Sequence, residues 1–249
     1  MNLTIIGCGD AFGSGGRYNT CFMLETAKAT LLVDCGASTM TALNAQKIDT
    51  NRIDAVVLSH LHGDHFGGLP FLLLHAQFLA KREKPMTIAG PPGTRERVDT
   101  LLEACFPKSK TGIKWRFVWD VVEIPVGVTT DILGHSVLSA EVVHQSGAPS
   151  TALRVSDGAK LFAYSGDTEW TDALIGVARD ADLFICECYA YAGSKMTGHM
   201  SWEILKPRLG ELRARRTMLT HMNDTMLAQV GEARAAGVLV AEDGLRLSL

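Results

Sequence analysis

The chain has 249 residues, of which 47% are hydrophobic and 20% are charged. This balance is typical of globular proteins and excludes a largely disordered chain. The 24 Lys and Arg residues against 27 Asp and Glu residues give a net charge of −3, which excludes a broadly cationic surface. Extensive nucleic-acid binding is therefore disfavoured, because it depends on many positive charges. We expect a single domain over residues 1–249.

Short apolar runs separated by turn-forming residues predict strands at residues 3–7, 21–25, 30–34 and 53–59. Residues 66–80 are apolar on most of a helical circumference, which predicts a largely buried helix. Further helix-like and strand-like segments follow at residues 86–89, 94–105, 115–119, 136–143, 150–155, 160–165, 170–178, 183–188, 201–212, 217–220, 225–236 and 238–240. This order predicts two packed β-sheets with helices outside.

Signals for membrane insertion and secretion are missing from the sequence. No apolar run approaches the roughly 20 residues of a membrane-spanning helix, and the first residues lack the basic start and cleavage site of a signal peptide. The six cysteines form no Cys-x-x-Cys pair, which predicts reduced thiols. We therefore expect a cytoplasmic protein without a membrane partner.

Residues 59–65, Ser-His-Leu-His-Gly-Asp-His, concentrate metal-ligating side chains directly after a predicted strand. His60 and His62 are two residues apart on an extended chain, so they face the same way and can bind one ion together. The glycine that follows permits a sharp turn, after which Asp64 and His65 can serve a second ion. Imidazoles and a carboxylate suit zinc, manganese or iron. A charged loop with surface histidines is the alternative interpretation.

This segment is the intact His-x-His-x-Asp-His signature of the metallo-β-lactamase fold superfamily, which the chain resembles over nearly its whole length. The resemblance implies an α/β fold, namely an αββα sandwich of two mixed β-sheets flanked by helices. It also implies two divalent transition-metal ions, with zinc as the first choice and manganese or iron as alternatives.

The resemblance extends to ligands further along the chain, each at the end of a predicted strand. His144 fits the family's third histidine, Asp167 its bridging aspartate and His221 its last histidine. Asp34 matches an early aspartate that supports the ligands rather than binding metal. The implied arrangement is His60, His62 and His144 on one metal, Asp64, His65 and His221 on the other, and Asp167 between them.

His199 lies in the segment Gly-His-Met-Ser, residues 198–201, before a predicted helix. A structural role at the helix start is one interpretation. The other follows from resemblance to the ribonuclease Z branch of the superfamily, which shares this segment, the glycine-rich start and the run His-Gly-Asp-His-Phe-Gly-Gly-Leu-Pro from residue 62. That branch places a catalytic histidine beside the leaving group, and histidine is the commonest general acid. His75 and His135 are expected to have packing or surface roles.

The interval between His144 and Asp167 bears on the substrate. Ribonuclease Z inserts a protruding tRNA-binding arm there, whereas this chain has 22 residues, mostly in two predicted strands. The cyclic phosphodiesterase of the carbon–phosphorus lyase pathway also lacks the arm, but its extra cysteine-rich metal cluster is not reproduced by Cys8 and Cys21. We therefore expect a phosphodiesterase of this branch that acts on small or cyclic phosphodiesters.

In the implied mechanism, a hydroxide shared by the two metals attacks phosphorus. Asp64 orients or deprotonates this nucleophile, and His199 assists the departing oxygen. Arg17, on a glycine-rich segment predicted to be an exposed loop, is the candidate substrate-binding residue, with a structural ion pair as its alternative. Other functions compatible with the sequence are a ribonuclease Z-type tRNA 3′ endonuclease, a thioester, lactone or β-lactam hydrolase, and a non-catalytic nucleotide-binding protein. The apolar helices would permit a homodimer.

Overall fold

The computed structural model describes residues 1–193 and 197–249. Within them the strands are β1 (Asn2–Gly7), β2 (Cys21–Glu25), β3 (Thr30–Val33), β4 (Ala55–Val57), β5 (Met86–Gly90), β6 (Trp119–Glu123), β7 (Thr129–Ile132), β8 (His135–Glu141), β9 (Thr151–Ser156), β10 (Leu161–Tyr164), β11 (Leu183–Glu187), β12 (Thr217–Thr220), β13 (Leu239–Val240) and β14 (Arg246–Ser248). The α-helices are α1 (Thr39–Ala45), α2 (Gly63–Phe66), α3 (Leu69–Phe78), α4 (Thr94–Cys105), α5 (Ser109–Gly112), α6 (Ala173–Ala178), α7 (Trp202–Leu205), α8 (Leu209–Leu212), α9 (Asp224–Leu227) and α10 (Val230–Ala235). None of these helices is long and apolar enough to cross a membrane.

The described strands form two mixed sheets of seven. The first has the order β14-β1-β2-β3-β4-β5-β6 and the second the order β13-β12-β11-β10-β9-β8-β7. Strands β3 to β6 are parallel to one another, as are β10 to β13. Because the carboxyl ends of parallel strands meet at one edge of a sheet, the loops that follow β3, β4, β10, β11 and β12 are brought together there.

Three apolar layers hold the sandwich together. The inner layer lies between the sheets, where side chains such as Phe22 and Phe162 are fully buried. An outer layer packs the first sheet against α1, α3 and α4, and another packs the second sheet against α6, α7 and α10. The predicted αββα sandwich of two mixed β-sheets flanked by helices is confirmed.

Several predicted elements differ from the observed ones. The helix predicted at residues 66–80 begins earlier, as α2, and is interrupted at Gly67 and Gly68 before α3. The predicted burial holds for most of α3, in which six of ten residues are buried, whereas Phe71 and Phe78 are 46% and 57% exposed. The segment at residues 115–119 overlaps its strand, β6, only at Trp119. The helix predicted at residues 94–105 and the strand at 217–220 are confirmed at both ends as α4 and β12.

Candidate metal centre

The histidine-rich segment turns sharply after β4. His62 has extended backbone dihedrals and precedes α2, so Asp64 and His65 lie on the first turn of that helix. A Cβ on Gly36 would lie 2.1 Å from the carbonyl oxygen of Asp64, and one on Gly68 would lie 2.3 Å from that of Gly36. Real Cβ atoms do not approach so closely, so these two glycines are what allows the loop after β3 to pack against the segment.

Three of the predicted ligands form the first group. The ligating nitrogens of His60, His62 and His144 lie within 4.8 Å of one another, as the ligands of one ion must. Nε2 of His144 is 2.9 Å from Nδ1 of His62. His144 reaches this position from the loop after β8, across the sandwich from the other two. The structure therefore brings together all three side chains predicted for the first metal.

The other predicted ligands, Asp64, His65, Asp167 and His221, form the second group, again within 4.8 Å. Oδ2 of Asp64 lies 3.2 Å from Nε2 of His65 and 3.2 Å from Nε2 of His221. His221 follows β12 and takes the left-handed backbone conformation, with φ of 58°. Its backbone amide donates to the carbonyl of Cys8, which ties this loop to the end of β1.

Asp167 lies between the two groups. Its Oδ2 is 3.2 Å from Nε2 of His65 and 3.3 Å from Nε2 of His221 in the second group. The same oxygen is 3.9 Å from Nε2 of His60 and from Nε2 of His144 in the first group. This central position is what a bridging carboxylate requires. Gly166, with φ of 60°, makes the turn that directs Asp167 inward from β10.

The free polar atoms of the site fit metal ligation. Nε2 of His60, Nε2 of His65 and Oδ1 of Asp167 are buried without an aligned hydrogen-bond partner among the described residues. Buried polar groups are normally hydrogen-bonded, so such a concentration calls for a ligand. The opposite ring nitrogens are occupied, Nδ1 of His65 by Asp34 and Nδ1 of His144 by the carbonyl of Gly198. Nε2 is thereby left to face the site, as in metal-ligating histidines.

Asp34 lies behind the ligands, as predicted for a supporting residue. Its carboxylate accepts hydrogen bonds from the backbone amide of Ser59 at 2.7 Å, from Oγ of Ser59 at 2.8 Å and from Nδ1 of His65 at 2.7 Å. The side chain is fully buried. The first two bonds hold the start of the histidine-rich segment, and the third orients the His65 ring.

The electrostatics of the second group fit a cation site. Burial alone lowers the pKa of His65, but the charges of three surrounding aspartates raise it well above its usual value. For His221, burial again lowers the pKa, while the Asp167 charge and the hydrogen bond with Asp64 raise it to about 9. The raised pKa values favour protonated imidazoles, whose charge would offset that of the neighbouring carboxylates. A divalent cation would take over that role and displace the protons.

His199 lies beside both groups and is held by a residue that the sequence did not single out. Its Nδ1 is 3.2 Å and 3.3 Å from the two carboxylate oxygens of Glu187, at the end of β11. It is 4.0 Å from Oδ2 of Asp167, and its ring stacks on His221 with centroids 5.5 Å apart. Glu187 is fully buried and also accepts from the backbone amides of Thr168 and Met200.

The Glu187 contact shifts the titration of His199. Burial on its own lowers the pKa of His199, but the hydrogen bond and the charge of Glu187 raise it above the usual value. Burial raises the pKa of Glu187 in turn. Because Nδ1 of His199 is directed to Glu187, Nε2 is the ring nitrogen left for a substrate.

The remaining candidate residues lie outside this cluster. Nη1 of Arg17 donates to the carbonyl of Ala241 at 2.8 Å, which is a structural contact, and its predicted role in substrate binding stays a prediction. His75 on α3 is within hydrogen-bond distance of Thr50, at 3.1 Å. His135 contacts Thr26 at 2.9 Å across the two sheets. These contacts agree with the packing roles expected for both histidines.

Comparisons with known proteins identify the family to which this chain is similar. A family model described as "Anti-Pycsar protein Apyc1" matches residues 1–243. The probable metallo-hydrolase YhfI of Bacillus subtilis (strain 168) is 30% identical over 229 residues, covering 89% of this chain and 87% of the relative. The ribonuclease Z of Geobacillus kaustophilus (strain HTA426) is 29% identical over 272 residues, covering 86% of each chain.

Solved structures agree with the observed fold. The crystal structure of YhfI, a metallo-β-lactamase fold protein, matches with a TM-score of 0.80 at 22% identity and covers 99% of each chain. That of human tRNase Z, short form, matches with a TM-score of 0.80 at 25% identity, covering 100% of this chain and 99% of that chain. The predicted metallo-β-lactamase fold is confirmed.

The two relatives differ in how many alignment positions have no counterpart in this chain. The ribonuclease Z alignment spans 272 positions, but 86% of 249 residues is about 214, so about 58 positions have no counterpart in this chain. The YhfI alignment spans 229 positions against about 222 residues, a difference of about 7. Since the matches to the family model and to YhfI cover most of its length, the chain belongs to the family of the anti-Pycsar protein Apyc1 and is a metallo-hydrolase of the ribonuclease Z and phosphodiesterase branch.

Proposed function

We propose that this protein is a phosphodiesterase that acts on small or cyclic phosphodiesters. We also propose that it holds two divalent transition-metal ions, with zinc as the preferred metal. The observation that carries the proposal is the position of His199, next to Asp167 and fixed by Glu187. A departing alkoxide needs a proton, and a positioned histidine with a raised pKa can supply one. A manganese or iron form would use the same ligands.

Each residue of the cluster has a role in this proposal. His60, His62 and His144 would hold one ion, and Asp64, His65 and His221 the other, with Asp167 shared. Two such ions would polarise a phosphoryl oxygen and activate water for attack. Asp64 would orient or deprotonate the attacking water, and its Oδ2 faces the site between His65 and His221. His199 donates through Nε2 to the leaving oxygen.

The size of the substrate is inferred from what occupies the interval between His144 and Asp167. Strands β9 and β10 pair there as an antiparallel hairpin joined through residues 157–160, and both belong to the second sheet. This pairing leaves the interval no length for a protruding arm. The net charge of −3 also favours a small substrate, because tRNA binding relies on many phosphate contacts.

A ribonuclease Z-type endonuclease is the second candidate function. It is favoured by the ribonuclease Z relatives, such as the one from Geobacillus kaustophilus. Hydrolysis of a thioester, lactone or β-lactam would keep the metals and change the bond, since a fold does not decide between chemistries. Each of these bonds has its own assay on the same metal-loaded protein.

A substrate panel on protein of measured metal content tests the proposal. It contains bis-p-nitrophenyl phosphate, cyclic nucleotides, a ribose cyclic phosphate, a tRNA precursor, p-nitrophenyl esters, nitrocefin and an acyl lactone. We expect hydrolysis of the small diesters and poor processing of the precursor. Efficient, specific removal of a tRNA 3′ trailer at physiological salt would instead support the endonuclease, and a preference for esters or lactams would overturn phosphodiester chemistry.

A homodimer, which the apolar helices would permit, is a further proposal. Helix α3 exposes apolar side chains, with Phe71 at 46% and Phe78 at 57%, and Leu79 just beyond its end is 75% exposed. Exposed apolar surface of this kind marks interaction sites. Sedimentation equilibrium gives the oligomeric state, and a change of Phe78 to Glu is expected to weaken the dimer.

A further inference from the structure

Arg97, on the first turn of α4, lies against the histidine-rich segment although it is far from it in sequence. Its Nη2 is 3.4 Å from the carbonyl oxygen of Leu61, the residue between His60 and His62. Its Cζ is 5.9 Å from the ring centroid of Phe66, the residue after His65. The guanidinium is thus held beside the chain that carries four predicted ligands.

The other side of the guanidinium faces the loop that follows His144. A Cβ on Gly147 would lie 3.8 Å from Nη1 of Arg97. Gly147 has φ of 72°, and this loop is fixed by the hydrogen bond between Ser146 and Ser150. Arg97 therefore lies between the segments that carry His62 and His144, the two half-buried members of the first ligand group.

The charge of Arg97 is not neutralised by a neighbouring acid. Among the described residues, no carboxylate lies within 4.0 Å of it. Arg95, two residues earlier on the same helix, differs: its Nη2 is 2.7 Å from Oδ1 of Asp120 and 2.6 Å from the carbonyl of Val121. Arg97 is exposed, and among the described residues its guanidinium makes one hydrogen bond, to Leu61, so that most of its five N–H donors are left for a ligand.

We propose that Arg97 is a specificity-determining residue that binds a second phosphate group of the substrate, on the side of the site where His62 and His144 lie. The substrate class is then a phosphodiester with a further phosphate near the scissile one. This inference rests on the proposed function. A guanidinium matches two phosphate oxygens at once, and its aromatic contact with Phe66 keeps the plane in place.

Two chromogenic substrates test this inference, because they differ only in the second phosphate. They are thymidine 5′-(p-nitrophenyl phosphate) and the same compound with a 3′-phosphate. We expect wild-type protein to favour the 3′-phosphorylated form by about tenfold in kcat/KM, mainly through KM, as for one charge-assisted contact near the surface. Arg97→Gln should bring that ratio to about one, and Arg97→Lys should keep part of it.

Arg95→Gln is the matched control, since it removes a charge from the same helix at a residue already paired with Asp120. It should keep the wild-type ratio. Equal losses on both substrates in Arg97→Gln would overturn the inference, because they would indicate contact with the scissile phosphate. A wild-type ratio of about one, or a ratio unchanged in Arg97→Gln, would overturn it as well.

Binding supplies a readout that does not depend on turnover. Calorimetry should show that metal-loaded wild-type protein binds thymidine 3′,5′-bisphosphate about tenfold more tightly than thymidine 5′-monophosphate, and that Arg97→Gln loses this difference. The difference should shrink as salt rises, because the contact is exposed to solvent. Failure of the wild type to hydrolyse any diester would refute the proposed function, whereas equal binding of the two nucleotides would refute the role of Arg97.

Discussion

Removal of the His199 side chain tests the proposed chemistry most directly. His199→Ala takes away an imidazole that is not among the residues of the two predicted metal groups, so the mutant should fold and keep both metals. Glu187 is bonded to Nδ1, at 3.2 Å and 3.3 Å, so the lost proton donor is Nε2. General acid catalysis contributes about 10²–10⁴-fold, and its value falls when the leaving oxygen is already acidic.

The expected signature is therefore a loss that depends on the leaving group. On a diester with an alkyl or ribose leaving group, His199→Ala should lose about 10²–10⁴-fold in kcat. On a p-nitrophenyl diester, whose leaving group departs without help, the loss should be no more than about tenfold. His75→Ala is the matched control, because His75 lies on α3 and contacts Thr50 away from the site; this change should affect neither rate.

Elemental analysis and kinetics on both substrates decide the outcome. Equal losses on the two diesters would mean that His199 binds phosphate or stabilises charge rather than donating a proton. Unchanged kinetics on every diester would leave it a structural role and would remove the main reason to prefer phosphodiesters over thioesters and lactams. Loss of metal from the mutant would also refute the reasoning, since it would make His199 a ligand.

The remaining predictions concern Glu187 and the ligands. Glu187→Gln removes the charge that raises the pKa of His199. Because a general acid acts when protonated, kcat falls as the pH rises through that pKa. In a pH–rate profile of Glu187→Gln, this fall in kcat should occur at lower pH than in the wild type. Asp34→Asn should weaken metal binding by about 10–100-fold in competition with a chromogenic chelator, because the His65 ring loses its carboxylate partner. His62→Ala should lose both metal and activity in parallel elemental and kinetic measurements, and retention of two metals would contradict its assignment. Zinc binding at pH 7 should release protons, since the pKa of His221 without metal is about 9. Calorimetry in two buffers of different ionisation enthalpy measures the number of protons released. A value of zero would contradict the protonated state of His221 and His65.

Sequence patterns predict best those helices and strands in which buried residues recur at regular intervals. Helix α4 alternates buried Val98 and Leu102 with charged residues, and its bounds follow from that pattern. Strand β7, which was not predicted, has one buried residue in Thr-Thr-Asp-Ile and pairs with β8 at the edge of the second sheet. An edge strand that faces solvent carries little apolar signal. The start of α2 was missed because its first residue is a glycine.

The candidate site combines ligands from one short segment with ligands that are far apart in the sequence. His60, His62, Asp64 and His65 are recognisable from their density in one short segment. The ligands at residues 144, 167 and 221 come from separate strand ends, and their meeting depends on how the two sheets pack. The spacing of these three residues along the chain does not show how close they lie in the folded protein. These residues were accordingly identified through family resemblance, and the structure brings every one of them to the cluster.

Glu187 and Arg97 were missed for different reasons, and only Glu187 could have been noticed from the sequence. Glu187 ends the apolar run Leu-Phe-Ile-Cys-Glu, in which every residue is buried. A carboxylate at the end of a wholly apolar strand is costly unless a partner offsets it, so its presence there already indicates a hydrogen-bonded pair. Arg97 sits in an ordinary polar helix, where an arginine is normally solvated. Its neighbours at residues 61, 66 and 147 belong to two other segments of the chain, and the absence of a described acidic partner becomes visible only once those segments are in place. Substrate specificity in this family member is therefore expected to reside in residues that the metal-binding motif does not contain.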